Sequence, residues 1–237
     1  PLWKDVALSI STSDTDGLAN GTFIDRSTNA HTVTPTGSPT QTAFHPYLDN
    51  WSVEFDGSGD YLSIASVSSL SPGSGDFTLE FNYYYNGADP SGYINVFSYG
   101  PTGDALRLFF YTDNTLMVWR GSTPLITSTN NALTPRLWQH VAIVREVSTL
   151  TLYVDGVSVG STTDSLTFSD GPLNIGFESG QALFTGNISN FRLVKGTAVY
   201  TENFTPPTEK LTAISGTSLL TCQSNRFIDN STNAHTI

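Results

Sequence analysis

The sequence predicts an all-β protein, a two-sheet antiparallel sandwich, and three observations carry that prediction. Apolar and polar residues alternate with period two along much of the chain, as in Phe77-Thr78-Leu79-Glu80-Phe81-Asn82-Tyr83-Tyr84-Tyr85, which places every second side chain on one face of a strand. Gly, Pro, Ser, Thr and Asn recur at short intervals and suit turns between strands. No stretch has the Ala/Glu/Lys/Leu periodicity of a helix. With 237 residues the chain can enclose a large core, and a sandwich of this size can be one domain.

The elements follow in order. Trp51-Ser52-Val53-Glu54-Phe55 turns Trp51, Val53 and Phe55 to one face, and the Asp56-Gly57-Ser58-Gly59-Asp60 turn leads into Tyr61-Leu62-Ser63-Ile64 as a short hairpin. Phe77 to Tyr85 is a long strand whose Phe77, Leu79, Phe81, Tyr83 and Tyr85 are core material. Further strands are expected at Tyr93 to Tyr99, Ala105 to Tyr111, Thr115 to Trp119, Trp138 to Arg145, Thr149 to Val154, Leu173 to Phe177 and Leu183 to Val194. Asp113-Asn114 and Asp155-Gly156 are the best hairpin turns. Trp138 and Phe81 are expected to anchor the core. Tyr200 to Lys210 contains Pro206-Pro207 and cannot be an inner strand, because proline has no N–H for the ladder. It reads as an extended strap leading into a strand at Ile214 to Cys222.

The two ends of the chain nearly repeat each other. Phe23-Ile24-Asp25-Arg26-Ser27-Thr28-Asn29-Ala30-His31-Thr32-Val33 returns as Phe227-Ile228-Asp229-Asn230-Ser231-Thr232-Asn233-Ala234-His235-Thr236-Ile237, an offset of 204 residues (227 − 23). That spacing is too long for a solenoid unit and fits one whole β domain. It predicts a bead of a tandem array: residues 1–212 form the sandwich, opened by the Phe23 to Val33 strand, and residues 213–237 supply a connecting strand and the start of a following repeat.

Composition removes several classes of function. The net charge is −11 with dispersed Lys and Arg, so a polyanion is repelled, and nucleic acid is not an expected partner. No apolar run approaches the length of a membrane-crossing helix, so membrane insertion is not expected. The single Cys222 offers neither an internal disulfide nor a zinc pattern and reads as a small buried hydrophobe.

Trp138-Gln139-His140-Val141-Ala142-Ile143-Val144-Arg145 followed by Leu150-Thr151-Leu152-Tyr153-Val154-Asp155-Gly156-Val157 resembles the signature hairpin of laminin-G-like domains in the concanavalin-A-like lectin superfamily. Phe55-Asp56-Gly57, Phe77-Thr78-Leu79-Glu80-Phe81 and Gly186-Asn187-Ile188-Ser189-Asn190-Phe191-Arg192 stand in the order that family shows. The resemblance covers roughly residues 5 to 200 and implies a concanavalin-A-like jelly roll. The tail, with Gly196-Thr197-Ala198-Val199-Tyr200 and Ser218-Leu219-Leu220-Thr221-Cys222, further resembles a subgroup found as tandem copies in large structural proteins of marine bacteriophages.

The superfamily includes glycoside hydrolases that present carboxylates in a Glu-x-Asp-x-x-Glu spacing. Glu54-Phe55-Asp56 begins that pattern, but its third position is Gly59, which leaves no proton donor, and the chain is expected not to be an enzyme. His140 shares a strand face with Trp138 and reads as a hydrogen-bonded packing residue. The repetition of His31 as His235 argues for structure as well.

Calcium takes clustered oxygen ligands from loops. Thr12 to Gly17 resembles the start of a calcium loop but has Thr12 at its first position and Phe23 at its twelfth, so it reads as a solvated turn. The laminin-G resemblance implies a rim calcium held by Asp104, just ahead of Ala105-Leu106-Arg107-Leu108, with Glu178 as the candidate second ligand. Exposed aromatics are the other binding group, and Tyr84, Tyr111 and Trp119 are the candidates for stacking on sugar rings. The expected function is a non-catalytic binding or structural module of a virion or extracellular protein. Its partner would be a cell-surface glycan or neighbouring copies of the same protein. The alternatives are a purely architectural bead and a polysaccharide-active enzyme.

Overall fold

Asp113 and Asn114 adopt φ of 57° and 52°, and Asp155 and Gly156 adopt 48° and 77°, so both sequence-marked turns close hairpins with the left-handed geometry that matches strand twist. The computed structural model describes residues 37–38, 40–47, 51–87, 90–101, 103–165, 167–176, 182–223 and 229–237. The Phe23 to Val33 block and the Thr12 to Gly17 loop lie outside the described residues. The strands in chain order begin with β1 (Thr40–Thr42), β2 (Ser52–Asp56), β3 (Leu62–Ile64), β4 (Phe77–Tyr85), β5 (Ile94–Tyr99), β6 (Leu106–Tyr111), β7 (Thr115–Arg120) and β8 (Thr123–Thr127). They continue with β9 (Trp138–Glu146), β10 (Thr149–Val154), β11 (Val157–Thr163), β12 (Leu173–Ile175), β13 (Ala182–Leu183), β14 (Thr185–Lys195) and β15 (Thr217–Thr221).

Among the described residues, one sheet has eight strands in the order β1-β2-β14-β4-β9-β10-β11, with β15 also paired to β14. The other has seven, β3-β12-β5-β6-β7-β8, with β13 added to β5. Only β13 pairs in parallel. The fold is therefore the two-sheet antiparallel sandwich expected from the alternation.

The core lies between the sheets. Phe81 is fully buried, stacks on Phe191 at 5.2 Å and meets Phe97 edge-on at 6.0 Å. A bulge in β14 makes this packing possible: its pairing with β4 shifts between Ser189 and Arg192, where Asn190 takes φ of 56°. The extra residue lets Ile188 and Phe191, three apart, both face the core and turns Arg192 to the opposite face.

That opposite face of the eight-stranded sheet is covered by the strap. Ala198, Tyr200 and Phe204 pack on Ala142, Val144 and Tyr153, and Tyr200 and Phe204 stack at 3.6 Å. A side chain at Gly156 would place its Cβ 1.8 Å from the Phe204 carbonyl oxygen, so the β10–β11 turn admits only glycine beneath the strap. No strand forms between Lys195 and Thr217, in keeping with Pro206 and Pro207.

Several expectations need correction. Trp138 does not face the core: on β9 it is Gln139, Val141, Ile143 and Arg145 that point inward, and Trp138 packs instead against Tyr84 and Phe44 at 5.8 and 5.3 Å. The expected strand from Leu183 to Val194 is two strands interrupted at Phe184. β1, β8 and β11 were not expected. β8 carries Pro124 and β11 is mostly polar, and both sit at sheet edges, where a missing ladder bond or a wet face costs little. β15 is hydrogen-bonded to β14, so residues 217–221 form a strand of this sandwich.

Candidate functional site

The β6–β7 hairpin builds the site by simple alternation. Leu106, Leu108, Phe110, Leu116 and Val118 enter the core, which leaves Arg107, Phe109, Tyr111, Met117 and Trp119 on the other face of the seven-stranded sheet. Register places Arg107 opposite Trp119 and Phe109 opposite Met117. Tyr93, just before β5, completes a cluster. It stacks on Tyr111 at 4.3 Å and meets Trp119 and Phe109 edge-on at 5.2 and 5.7 Å. Phe109 also touches Trp119 at 5.6 Å.

Phe109 is buried, while Tyr93, Tyr111 and Trp119 remain half-buried. Partial desolvation, reinforced by a hydrogen bond with Tyr111, raises the Tyr93 phenol above its ordinary value, so it stays a hydroxyl. The Trp119 indole Nε1 is buried without a hydrogen-bond partner. Arg107 stands beside the cluster and donates to the Gly121 carbonyl. The arrangement offers partly exposed flat π faces, which suit the apolar C–H face of a sugar ring.

Of the three aromatic candidates, the structure therefore brings Tyr111 and Trp119 together through Tyr93. Tyr84 is elsewhere, on the eight-stranded sheet, edge-on to Phe44 at 4.7 Å. Sequence reasoning missed Tyr93 and Phe109. The signal was present, because pairing β6 with β7 across the Asp113-Asn114 turn puts the whole outward set on one patch.

Asp104 is at the rim ahead of β6, and its carboxylate is engaged. Oδ1 accepts from Arg120 Nε at 2.6 Å and Oδ2 from Ser169 Oγ at 3.3 Å. Desolvation opposes ionisation there, but the Arg120 and Ser169 contacts outweigh it and hold the carboxyl below its ordinary value. Arg120 also reaches Asp164 at 3.2 Å and lies 4.6 Å over the Phe168 ring, which Arg145 flanks at 5.0 Å. Glu178 lies outside the described residues. Among the described residues no three His, Cys, Asp or Glu side chains converge on a common point.

Glu54, Asp56 and Glu80 lie on the eight-stranded sheet, and the aromatic cluster lies on the other sheet. Glu54 and Asp56 are exposed on β2, and Glu54 accepts from the Thr40 hydroxyl at 3.3 Å. Glu80 is fully buried under the strap, where it accepts from Arg192 Nε (2.9 Å), Tyr200 Oη (2.8 Å) and His140 Nε2 (3.1 Å). Burial would raise its carboxyl, but the His140 and Arg192 contacts bring it below the ordinary value.

A family model described as the concanavalin A-like lectin/glucanases superfamily matches residues 56–200. No curated protein matches the chain by sequence. Among solved structures, a proposed carbohydrate binding protein from Bacteroides ovatus superposes with a TM-score of 0.54 at 18% identity, over 68% of this chain and 48% of that one. This chain thus spans about half the length of that protein. Domain 4 of an extracellular arabinanase from Geobacillus stearothermophilus, in complex with arabinotriose, gives 0.52 at 15% identity over 77% of this chain and 84% of that one. The binding domain of botulinum neurotoxin DC, in complex with SialylT, gives 0.53 at 9% identity over 74% and 45%. At these identities the likeness is one of fold.

Proposed function

The chain belongs to the laminin G-like group of the concanavalin A-like lectin/glucanases superfamily, and from that membership we propose that it is a non-catalytic glycan-binding module. The observation that carries this reading is the half-exposed triad of Tyr93, Tyr111 and Trp119, in which Tyr93 stacks on Tyr111 and meets Trp119 and buried Phe109 edge-on. Rings fixed by one another lose little entropy on binding, so a sugar that stacks on them gains nearly the whole contact. Single modules of this kind bind weakly, and copies in a virion or extracellular protein would convert weak contacts into avidity.

A glycan array probed with the purified chain tests the proposal. Trp119→Ala and Tyr93→Ala should each lower affinity for any bound glycan by about tenfold, about 1.4 kcal/mol, with the fold intact by circular dichroism. Tyr84→Ala, on the opposite sheet, should leave binding unchanged. No glycan bound by the parent chain, or full binding by Trp119→Ala, refutes the assignment.

A further inference from the structure

The second copy of the repeated block is docked on this sandwich through its own side chains. Asp229 is 4% exposed and its carboxylate accepts from the backbone N–H of Leu220 in β15 at 2.8 Å, and from those of Ser231 and His235 at 2.9 Å each. Ser231 Oγ and Asn233 Nδ2 both donate to the Ser218 carbonyl, at 3.0 and 3.1 Å. His235 Nε2 lies 3.1 Å from Ser69 Oγ, and Ile237 packs against the main core. Asn230 takes part through its backbone N–H, 2.5 Å from the Leu220 carbonyl.

Each of these docking side chains has a counterpart in the first copy at the same spacing: Asp25, Ser27, Asn29, His31 and, for Ile237, Val33. Among the positions described here, the first copy differs further only in Arg26 for Asn230, a position that engages β15 through its backbone. Among the described residues there is one β15 acceptor, and the sequence carries two blocks with the chemistry to fill it.

We infer that the β15 face is a docking site for this Asp-x-Ser-x-Asn-x-His block, and that the Phe23 to Val33 block of one copy occupies the β15 face of another. Ligand and acceptor are then different surfaces of the same chain. Such a contact is heterologous, and repeated head to tail it builds a ring where the rotation closes and an open string where it does not.

The test uses the full chain carrying Asp229→Ala, which weakens its own block, and a fluorescein-labelled peptide of residues 23–33. The peptide should bind the variant saturably and bind the parent chain, whose own block competes, about tenfold more weakly. An Asp25→Ala peptide should lose about tenfold on the variant, because it lacks the charge-assisted bonds to the β15 backbone. A peptide of residues 227–237 serves as the positive control. Binding of the control without binding of the 23–33 peptide, or of neither to the folded variant, overturns the inference. Should the variant lack a cooperative melt, restoration of that melt by the 23–33 peptide supports the inference, and failure to restore it overturns it.

Discussion

Arg120 holds Asp104 in an ion pair of 2.6 Å, so the acid that the family resemblance marks as a calcium ligand already has a cation beside it. A divalent ion at this carboxylate must work against the Arg120 charge or displace it. Asp104→Asn should therefore lower stability by about 1 kcal/mol, the usual scale for a partly exposed pair, and by the same amount in calcium and in chelator. Paired thermal melts decide this. A calcium-dependent rise in the parent midpoint that vanishes in Asp104→Asn would overturn this and make the rim a metal site.

The Glu80 cluster sets the acid limb of stability. Its folded-state carboxyl sits below the unfolded value of 4.5, so its contribution is complete above that pH and is lost as pH falls through the folded value. Glu80→Gln should remove this part of the acid dependence. At neutral pH it should cost about 3–5 kcal/mol, because Arg192 is left buried without its counter-charge. Urea midpoints between neutrality and pH 3 provide the measurement, and parallel profiles for parent and variant would remove Glu80 from the acid transition.

Much of the fold was legible because alternation is a local property. Phe77 to Tyr85 declares its buried face in the sequence, and the Asp-Asn and Asp-Gly turns declare their hairpins. What was not legible depends on what covers the second face of a strand. Trp138, His140, Ala142 and Val144 look like an inward set, yet the inward residues of β9 are Gln139, Val141, Ile143 and Arg145. The strap and the Tyr84–Phe44 pair supply the apolar cover that makes the outer face read as core. The aromatic cluster was half legible for a related reason. Tyr111 and Trp119 are conspicuous singly, but Tyr93 joins them only once β5, β6 and β7 are paired.

This inversion separates two large-to-small substitutions. Phe81→Ala opens a cavity among Phe97, Phe191 and Tyr83 and should cost about 3–5 kcal/mol. Trp138→Ala removes a half-buried ring from a surface group in which Phe44 is 45% exposed, where neighbours and water can fill the space. It should cost roughly half as much or less. Chemical denaturation of the two variants compares them directly, and equal losses would return Trp138 to the core.

Cys222 tests whether the end of β15 is held shut. It is fully buried within the main core, and burial pushes its thiol up to about 12, so almost no thiolate, the reactive form, exists near neutrality. Its neighbour Leu220 is pinned by the Asp229 carboxylate at 2.8 Å, so access requires release of the docked block or opening of the β14–β15 pair. A thiol-specific reagent should leave the native chain unmodified over hours and label it fully in denaturant. Asp229→Ala should speed native-state labelling about tenfold or more, because it removes the charge-assisted bonds that close the block over β15. Labelling of the parent chain at the rate of a free thiol would mean that β15 opens readily in the folded state, and that the C-terminal block does not clamp it.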